Sequence, residues 1–221
     1  MTTYRELIYM CLDVLKGTSD DFSYTEEHIA YLLDKFRALL LKQRYGNDPK
    51  KHVPYSNYQN LDIDLDVENK GVYYMSYDIV PYTLQLGIPR ITSKEYYDIT
   101  FEFVSRERLP FVGYNKYLNK IRYCGINEDH HLCLVSKPDD DSTVINNLRL
   151  TAIFESPRSV KQDTALHWMD IEFPLEEPLI TPLIEMTVNA LAKAVTAPAD
   201  IINNGTDENA SMPTVMNTGK Q

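Results

Sequence analysis

Residues 61–68 read LDIDLDVE, and the alternation is strict. Leu61, Ile63, Leu65 and Val67 fall on one side of an extended chain. Asp62, Asp64, Asp66 and Glu68 fall on the other. Side chains point to opposite faces at every step only in a strand, so this spacing predicts a strand with one buried and one wet face. The D-x-D-x-D spacing also resembles the start of a calcium loop. Such a loop needs glycine at its sixth position and glutamate at its twelfth. Counted from Asp62, those positions hold Val67 and Tyr73, so the acids read as a solvated strand face.

Further strands are predicted downstream. GVYYMSYDIV (71–80) is rich in aromatic and β-branched residues and stops at Pro81. YDITFEFV (97–104) sets Tyr97, Ile99, Phe101 and Phe103 against polar neighbours. IRYCGI (121–126) and HLCLVSK (131–137) flank a short polar turn and read as a hairpin. LRLTAIFES (148–156) ends at Pro157, and WMDIEFP (168–174) completes the set. Several short strands separated by turn signals predict an antiparallel β region.

Helical patterns lie on both sides of it. Near the start, Thr3-x-x-Glu6 fits a capping box. Tyr4, Ile8, Cys11, Leu12 and Leu15 then form one stripe, and Gly17 stands where a terminating glycine belongs. A second helix has Ser23 or Thr25 as its cap and Glu26 and Glu27 in its first turn. Its stripe is Ile29, Leu32, Leu33, Phe36, Leu39 and Leu40, with Lys42 and Arg44 before Gly46. The third helix follows Pro174 and Pro178, with Thr181 as candidate cap and Pro182 in its first turn. Ile184, Val188, Leu191 and Val195 mark its stripe, and Pro198 ends it. The expected fold class is therefore α+β: a helical bundle of two N-terminal helices and a C-terminal helix, with an inserted antiparallel β domain. The expected divisions are 1–48 for the helical pair, 49–175 for the β-rich insertion, 176–197 for the C-terminal helix on the pair, and 198–221 for an extended arm.

That arm reads ADIINNGTDENASMPTVMNTGKQ from Ala199 onward, too polar to bury a core by itself. It can become ordered on a partner, and Ile201, Ile202, Met212, Val215 and Met216 would then be the apolar anchors. The 221 residues are enough for a core that stands without staples, and 43% hydrophobic and 24% charged residues predict a folded body. A net charge of −10 excludes a wholesale basic footprint for nucleic acid. Three widely spaced cysteines make no disulfide framework. The N-terminus carries Glu6 and Asp13 inside its apolar pattern and does not read as a signal peptide. No run of 18 apolar residues predicts a membrane span. Sixteen tyrosines against seven phenylalanines fit half-wet contact surfaces.

Motifs for chemistry are missing. There is no Walker loop, G-x-G-x-x-G or G-x-S-x-G. Cys124, His130, His131 and Cys133 are zinc-ligand types, but there is no C-x-x-C, and adjacent histidines on a strand face opposite ways. His28, His167 and the pair Glu176/Glu177 carry no spacing that builds a triad or an acid–base pair. The expectation is no enzyme, no cofactor and no metal. A protein-interaction scaffold without catalytic activity is one reading that these residues leave open.

MTTYRELIYMCLDVLKG, EEHIAYLLDKFRALLLKQRY, LRLTAIFESP and PLIEMTVNALAKAV together resemble a tail ring protein of crAss-like bacteriophages, of the ring protein 1 type. More loosely, the layout resembles the head–tail adaptors of short-tailed phages. The resemblance covers most of the chain and rests on whole segments, because the family has no short signature. It implies a virion protein of the tail or neck, assembled in the bacterial host cytoplasm. It implies a closed homomeric ring of twelve copies beneath the portal protein, which docks further tail rings and passes genomic DNA without binding it specifically. The arm from Ala197 would face the portal or a neighbouring subunit. A ring of this kind is a head-to-tail assembly that closes, so each subunit needs two different complementary faces.

Overall fold

A computed structural model of the chain describes residues 2–17, 24–46, 52–66, 73–84, 86–87, 89–94, 101–112, 121–135, 148–160 and 167–196. Two N-terminal helices, eight strands and a C-terminal helix make up the regular structure of these residues, an α+β fold.

Helix α1 (Tyr4–Lys16) starts on the predicted capping box: Thr3 accepts from the Glu6 N–H while Glu6 accepts from the Thr3 N–H. Helix α2 (Glu26–Tyr45) is capped by Thr25, whose hydroxyl accepts from the His28 N–H; Ser23 lies outside the described residues. Both helices stop at glycine, but Gly17 and Gly46 stay right-handed at φ −66° and −70°. Neither uses the left-handed freedom that usually selects glycine at a helix end.

The stripe of α1 is buried as expected, with Leu7 added and Leu12 only half-buried. Helix α2 departs further from a simple amphipathic pattern. Leu39 is exposed, while Asp34, Arg37 and Ala38 are buried beside Ile29, Leu33 and Leu41. The helix is enclosed on more than one side, by α1, by the C-terminal helix and by loops of the β region.

Helix α3 (Ile180–Thr196) packs on both α1 and α2. A 3-10 turn, Glu177–Leu179, leads straight into it, so Thr181 sits inside the helix and does not cap it. Its most buried line is Leu183, Thr187 and Leu191, with Ile184 and Val188 half-buried on the flank. Thr187 disposes of its hydroxyl by donating to the Leu183 carbonyl one turn back, at 2.8 Å. The predicted centre of the stripe is therefore shifted by one position at Ile184 and Val188.

The β region holds two sheets. One is three-stranded, in the order β1 (Gln59–Ile63), β8 (Leu148–Ala152), β4 (Arg90–Ser93), all antiparallel. The other has the order β2 (Leu65–Asp66), β3 (Tyr73–Ser76), β7 (Leu132–Val135), β6 (Arg122–Ile126), β5 (Phe101–Phe103). Its last pair, β5 with β6, is parallel, so the sheet is mixed and not purely antiparallel.

The alternating segment that begins at Leu61 is not one strand. It pairs with β8 as far as Ile63, breaks at Asp64, and joins β3 in the second sheet from Leu65. Leu61, Ile63 and Leu65 nevertheless all point into one shared core with Ile91, Leu134 and Leu150. Over Leu61–Asp66 the alternation reports the buried face while the backbone changes sheet; Val67 and Glu68 lie outside the described residues. WMDIEFP is not a strand either: Trp168–Asp170 form a 3-10 turn, and Glu172 makes a single bridge to Thr3. Its apolar residues Met169 and Phe173 are buried all the same, and Phe173 packs edge-on against Tyr4 with ring centroids 4.8 Å apart.

A second core gathers α1, α2 and α3. Ile153, Leu84, Phe173 and Leu175 from the chain between the helices enter it, so the two regions share an apolar boundary.

Candidate functional site

The boundary between helices and sheets is held by a buried polar node on α2. Asp34 accepts from the Tyr4 hydroxyl at 2.6 Å, the Ser156 hydroxyl at 2.8 Å and Arg158 Nε at 3.0 Å. One turn on, Arg37 is fully buried and donates to three carbonyls, those of Pro174, Phe154 and Asn57. Burial pulls the Arg37 guanidinium down to about 10, which leaves it a cation at neutral pH. Burial and the neighbouring Asp34 push the Tyr4 phenol well above its ordinary value. Asn57 extends the node: its Oδ1 accepts from the Glu176 N–H at 3.1 Å. Every member serves as a positioning contact between segments.

The residues that the sequence offers for chemistry are dispersed. Cys124 donates to the Glu102 carbonyl and Cys133 to the His131 carbonyl, and burial pushes the thiols of Cys11 and Cys124 up to about 11 and about 12. His131 Nδ1 lies 2.8 Å from the Ser76 carbonyl, which can only accept, so that nitrogen carries the hydrogen. His130 sits at the hairpin tip with φ 61° and packs its ring against Tyr82. Among the described residues no three His, Cys, Asp or Glu side chains are grouped to hold a metal ion. His28 stacks on Tyr24, and His167 caps a turn through Nδ1. Glu176 is held by Tyr45 and Arg44.

A surface better suited to function lies where β3 ends. Residues 77–82 read YDIVPY. Val80 points inward, while Tyr77, Ile79 and Tyr82 are 61%, 64% and 66% exposed. The Val80 N–H donates to the His130 carbonyl at 2.7 Å, and the Glu155 N–H donates to the Tyr82 carbonyl at 2.8 Å, which fix the loop at both ends. A groove of about 520 Å³ adjoins it, lined by Leu61, Ile63, Val80 and Pro81 and by the acids Asp62, Asp64 and Asp78. A second hollow of about 280 Å³ lies on the other side of Pro81 and Tyr82, reaching Tyr31 and Lys35 on α2. Clustered exposed apolar side chains on a well-anchored loop mark an interaction surface. The sequence holds a signal for it: apolar residues on both sides of the alternation at Ile79 and Val80, with a polar strand face expected on one.

The anchors expected in the arm, Ile201, Ile202, Met212, Val215 and Met216, lie outside the described residues, as does Val195 as a side chain. No helix among the described residues is long and apolar enough to cross a membrane.

Comparison with known proteins fixes the family. A family model described as phage tail ring protein 2 matches residues 6–209. Ring protein 2 of Bacteroides phage crAss001 is 37% identical over 222 aligned positions, which cover 93% of this chain and 97% of that protein. These matches correct the ring protein 1 type expected from the sequence. Whole-segment likeness identifies a tail ring protein of crAss-like phages but carries no short motif that separates one ring from the next. The chain belongs to the phage tail ring protein 2 family and is a structural component of the virion tail.

Proposed function

We propose that the chain is the repeating subunit of a closed tail ring that joins the portal to the downstream tail rings and extends the DNA channel. The match to phage tail ring protein 2 over residues 6–209 carries this reading. The exposed loop 77–82 supports it, because an apolar surface of this kind is covered when subunits pack side by side. The net charge of −10 supports it as well, since acidic channel walls let DNA pass without adhering.

In this reading residues 1–48 and 176–197 form the helical body, 49–175 the inserted β part, and 198–221 an arm. Ile201, Ile202, Met212, Val215 and Met216 would seat the arm on the portal or a neighbouring ring. Twelve copies close the ring, and it assembles in the bacterial host cytoplasm. The test is an image of the virion neck by electron microscopy with this chain located in it. A stacked ring of this subunit around the channel is expected. A particle lacking the chain, or holding it as isolated copies, overturns the proposal. Removing residues 198–221 is expected to leave the body folded and to abolish docking to the portal-side partner. A truncated chain that docks as well as the whole one excludes the arm.

A further inference from the structure

The five-stranded sheet ends in two unlike features. Strand β3 passes into loop 77–82 at the end where β6 and β7 meet in their hairpin, as the bond from Val80 to His130 requires. Strand β5 runs parallel to β6, so it finishes at that same end and continues into the 3-10 turn Arg106–Phe111. The strand order β2-β3-β7-β6-β5 puts loop 77–82 beside one lateral edge and this turn beyond the other. Between β3 and β5 lie three strand spacings, about 14 Å.

The turn is a knob on a fixed base. Leu109 is buried against the sheet at Gly125, where a Cβ would lie 2.8 Å from the Val104 carbonyl oxygen and 3.5 Å from a Leu109 methyl. Arg106 is tied to Glu128 at the hairpin tip. With its base held, the turn leaves Phe111 81% exposed and Arg108 exposed with it. Residues three apart eclipse in a 3-10 helix, so the phenyl ring and the guanidinium leave from the same side. The groove offers the converse: the exposed rings and chains of Tyr77 and Ile79 above the edges of the buried Leu61, Ile63 and Val80, and the carboxylates of Asp64 and Asp78, while the third lining acid, Asp62, is already paired with Lys94 and Arg149.

We infer that Phe111 of one subunit seats in the groove of the next copy of this chain, with Arg108 facing Asp64 and Asp78. The inference deepens the ring reading and rests on it. The knob follows β5, and the groove lies between β1 of the other sheet and the loop after β3, so they are two different patches and their contact is head-to-tail, able to repeat around a closing ring. Copies that each carry a charge of −10 repel one another, and a cation set against an acidic edge offsets that repulsion where the subunits meet. Burying the phenyl ring removes about 150–250 Å² of surface from water at the centre of the contact.

The test uses the full chain. Wild type is sized by mass photometry and imaged for closed rings. Phe111→Ser is expected to raise the concentration needed for assembly about tenfold or more, as loss of a central aromatic anchor does. Circular dichroism should show its fold unchanged. Arg108→Glu and Asp64→Lys should each weaken assembly, and the double variant should recover it. Phe111→Cys mixed with Ile79→Cys should cross-link into dimers that neither variant forms alone, and the doubly substituted chain should give a ladder; the three native cysteines are buried. A wild type that never closes into rings removes the ring reading. Rings that persist in Phe111→Ser, or mixed cysteines that fail to link, overturn the knob-and-groove contact and leave the ring reading intact. Self-linking of Phe111→Cys alone overturns it in favour of a two-fold contact.

Discussion

The Tyr4 hydroxyl donates to Asp34 Oδ1 across 2.6 Å and thereby joins α1 to α2 inside the protein, not at its surface. The same carboxylate accepts from Ser156 and Arg158 of the β region through its other oxygen. One acidic side chain, 3% exposed, thus ties three segments that are distant in sequence. Buried charges are tolerated when every partner is in place, and removing one member leaves the others desolvated and unpaired. Asp34→Ala is expected to lower unfolding stability by about 3–5 kcal/mol. The measurement is the urea midpoint, and a midpoint within error of wild type would show that the node contributes nothing.

Arg37 and Lys35 stand two residues apart on α2 and contribute very differently. Arg37 satisfies three buried carbonyls, whereas Lys35 reaches Glu155 in an exposed pair. Arg37→Met strips three acceptors of their donor, each worth about 1–3 kcal/mol when buried, and is expected to cost at least about 3 kcal/mol. Lys35→Met removes a surface ion pair and is expected to cost less than about 1 kcal/mol. Equal losses in parallel urea titrations would overturn the distinction.

These two residues also mark where sequence reading stops. The caps at Thr3 and Thr25 and most of the α1 stripe are local signals, so they are legible along the chain. Arg37 falls on no polar stripe that announces a buried cation. Its role depends on carbonyls of Asn57, Phe154 and Pro174, which only the tertiary fold brings together. The break at Asp64 is hidden for a related reason: the side-chain period is unchanged while the hydrogen-bond partner changes from β8 to β3. The exposure of Phe111 and of loop 77–82 is hidden as well, because exposure is a property of what packs around a residue.

Tyr45 supplies a pH dependence. Burial, with help from its hydrogen bond to Glu176, pushes its phenol up to about 12 from an ordinary 10. Between those values the unfolded chain loses the proton and the folded chain keeps it, so folding stability falls as pH rises. The Tyr45 contribution is whole below pH 10 and is lost on the way to about 12. Tyr45→Phe is expected to show a shallower loss of stability than wild type across that window, read from urea midpoints at stepped pH. A slope identical to wild type would mean that the phenol does not titrate in this environment.

All three thiols should be silent in the native protein. Cys11, Cys124 and Cys133 are buried and burial raises each of them, so almost no thiolate is present at pH 8. An aromatic disulfide reagent is expected to label native protein at least about a hundredfold more slowly than urea-unfolded protein. Fast labelling of one native thiol would show that its core segment opens.

The register of α3 gives the final prediction. Leu183 is fully buried between the helices, while Val188, at the centre of the stripe expected from spacing, is only half-buried. A truncation at Leu183 leaves a cavity that α1 and α2 cannot readily fill, because each is itself packed against the β region. Leu183→Ala is therefore expected to cost about 2–5 kcal/mol. Val188→Ala removes fewer atoms from a partly wet site and is expected to cost less than about 1.5 kcal/mol. A charge separates the sites further: Leu183→Asp should prevent folding, and Val188→Asp should leave a folded but weakened protein, since its carboxylate can reach water from the flank. The reverse order in thermal melts would put Val188 back at the centre of the helical core and move α3 by about one residue.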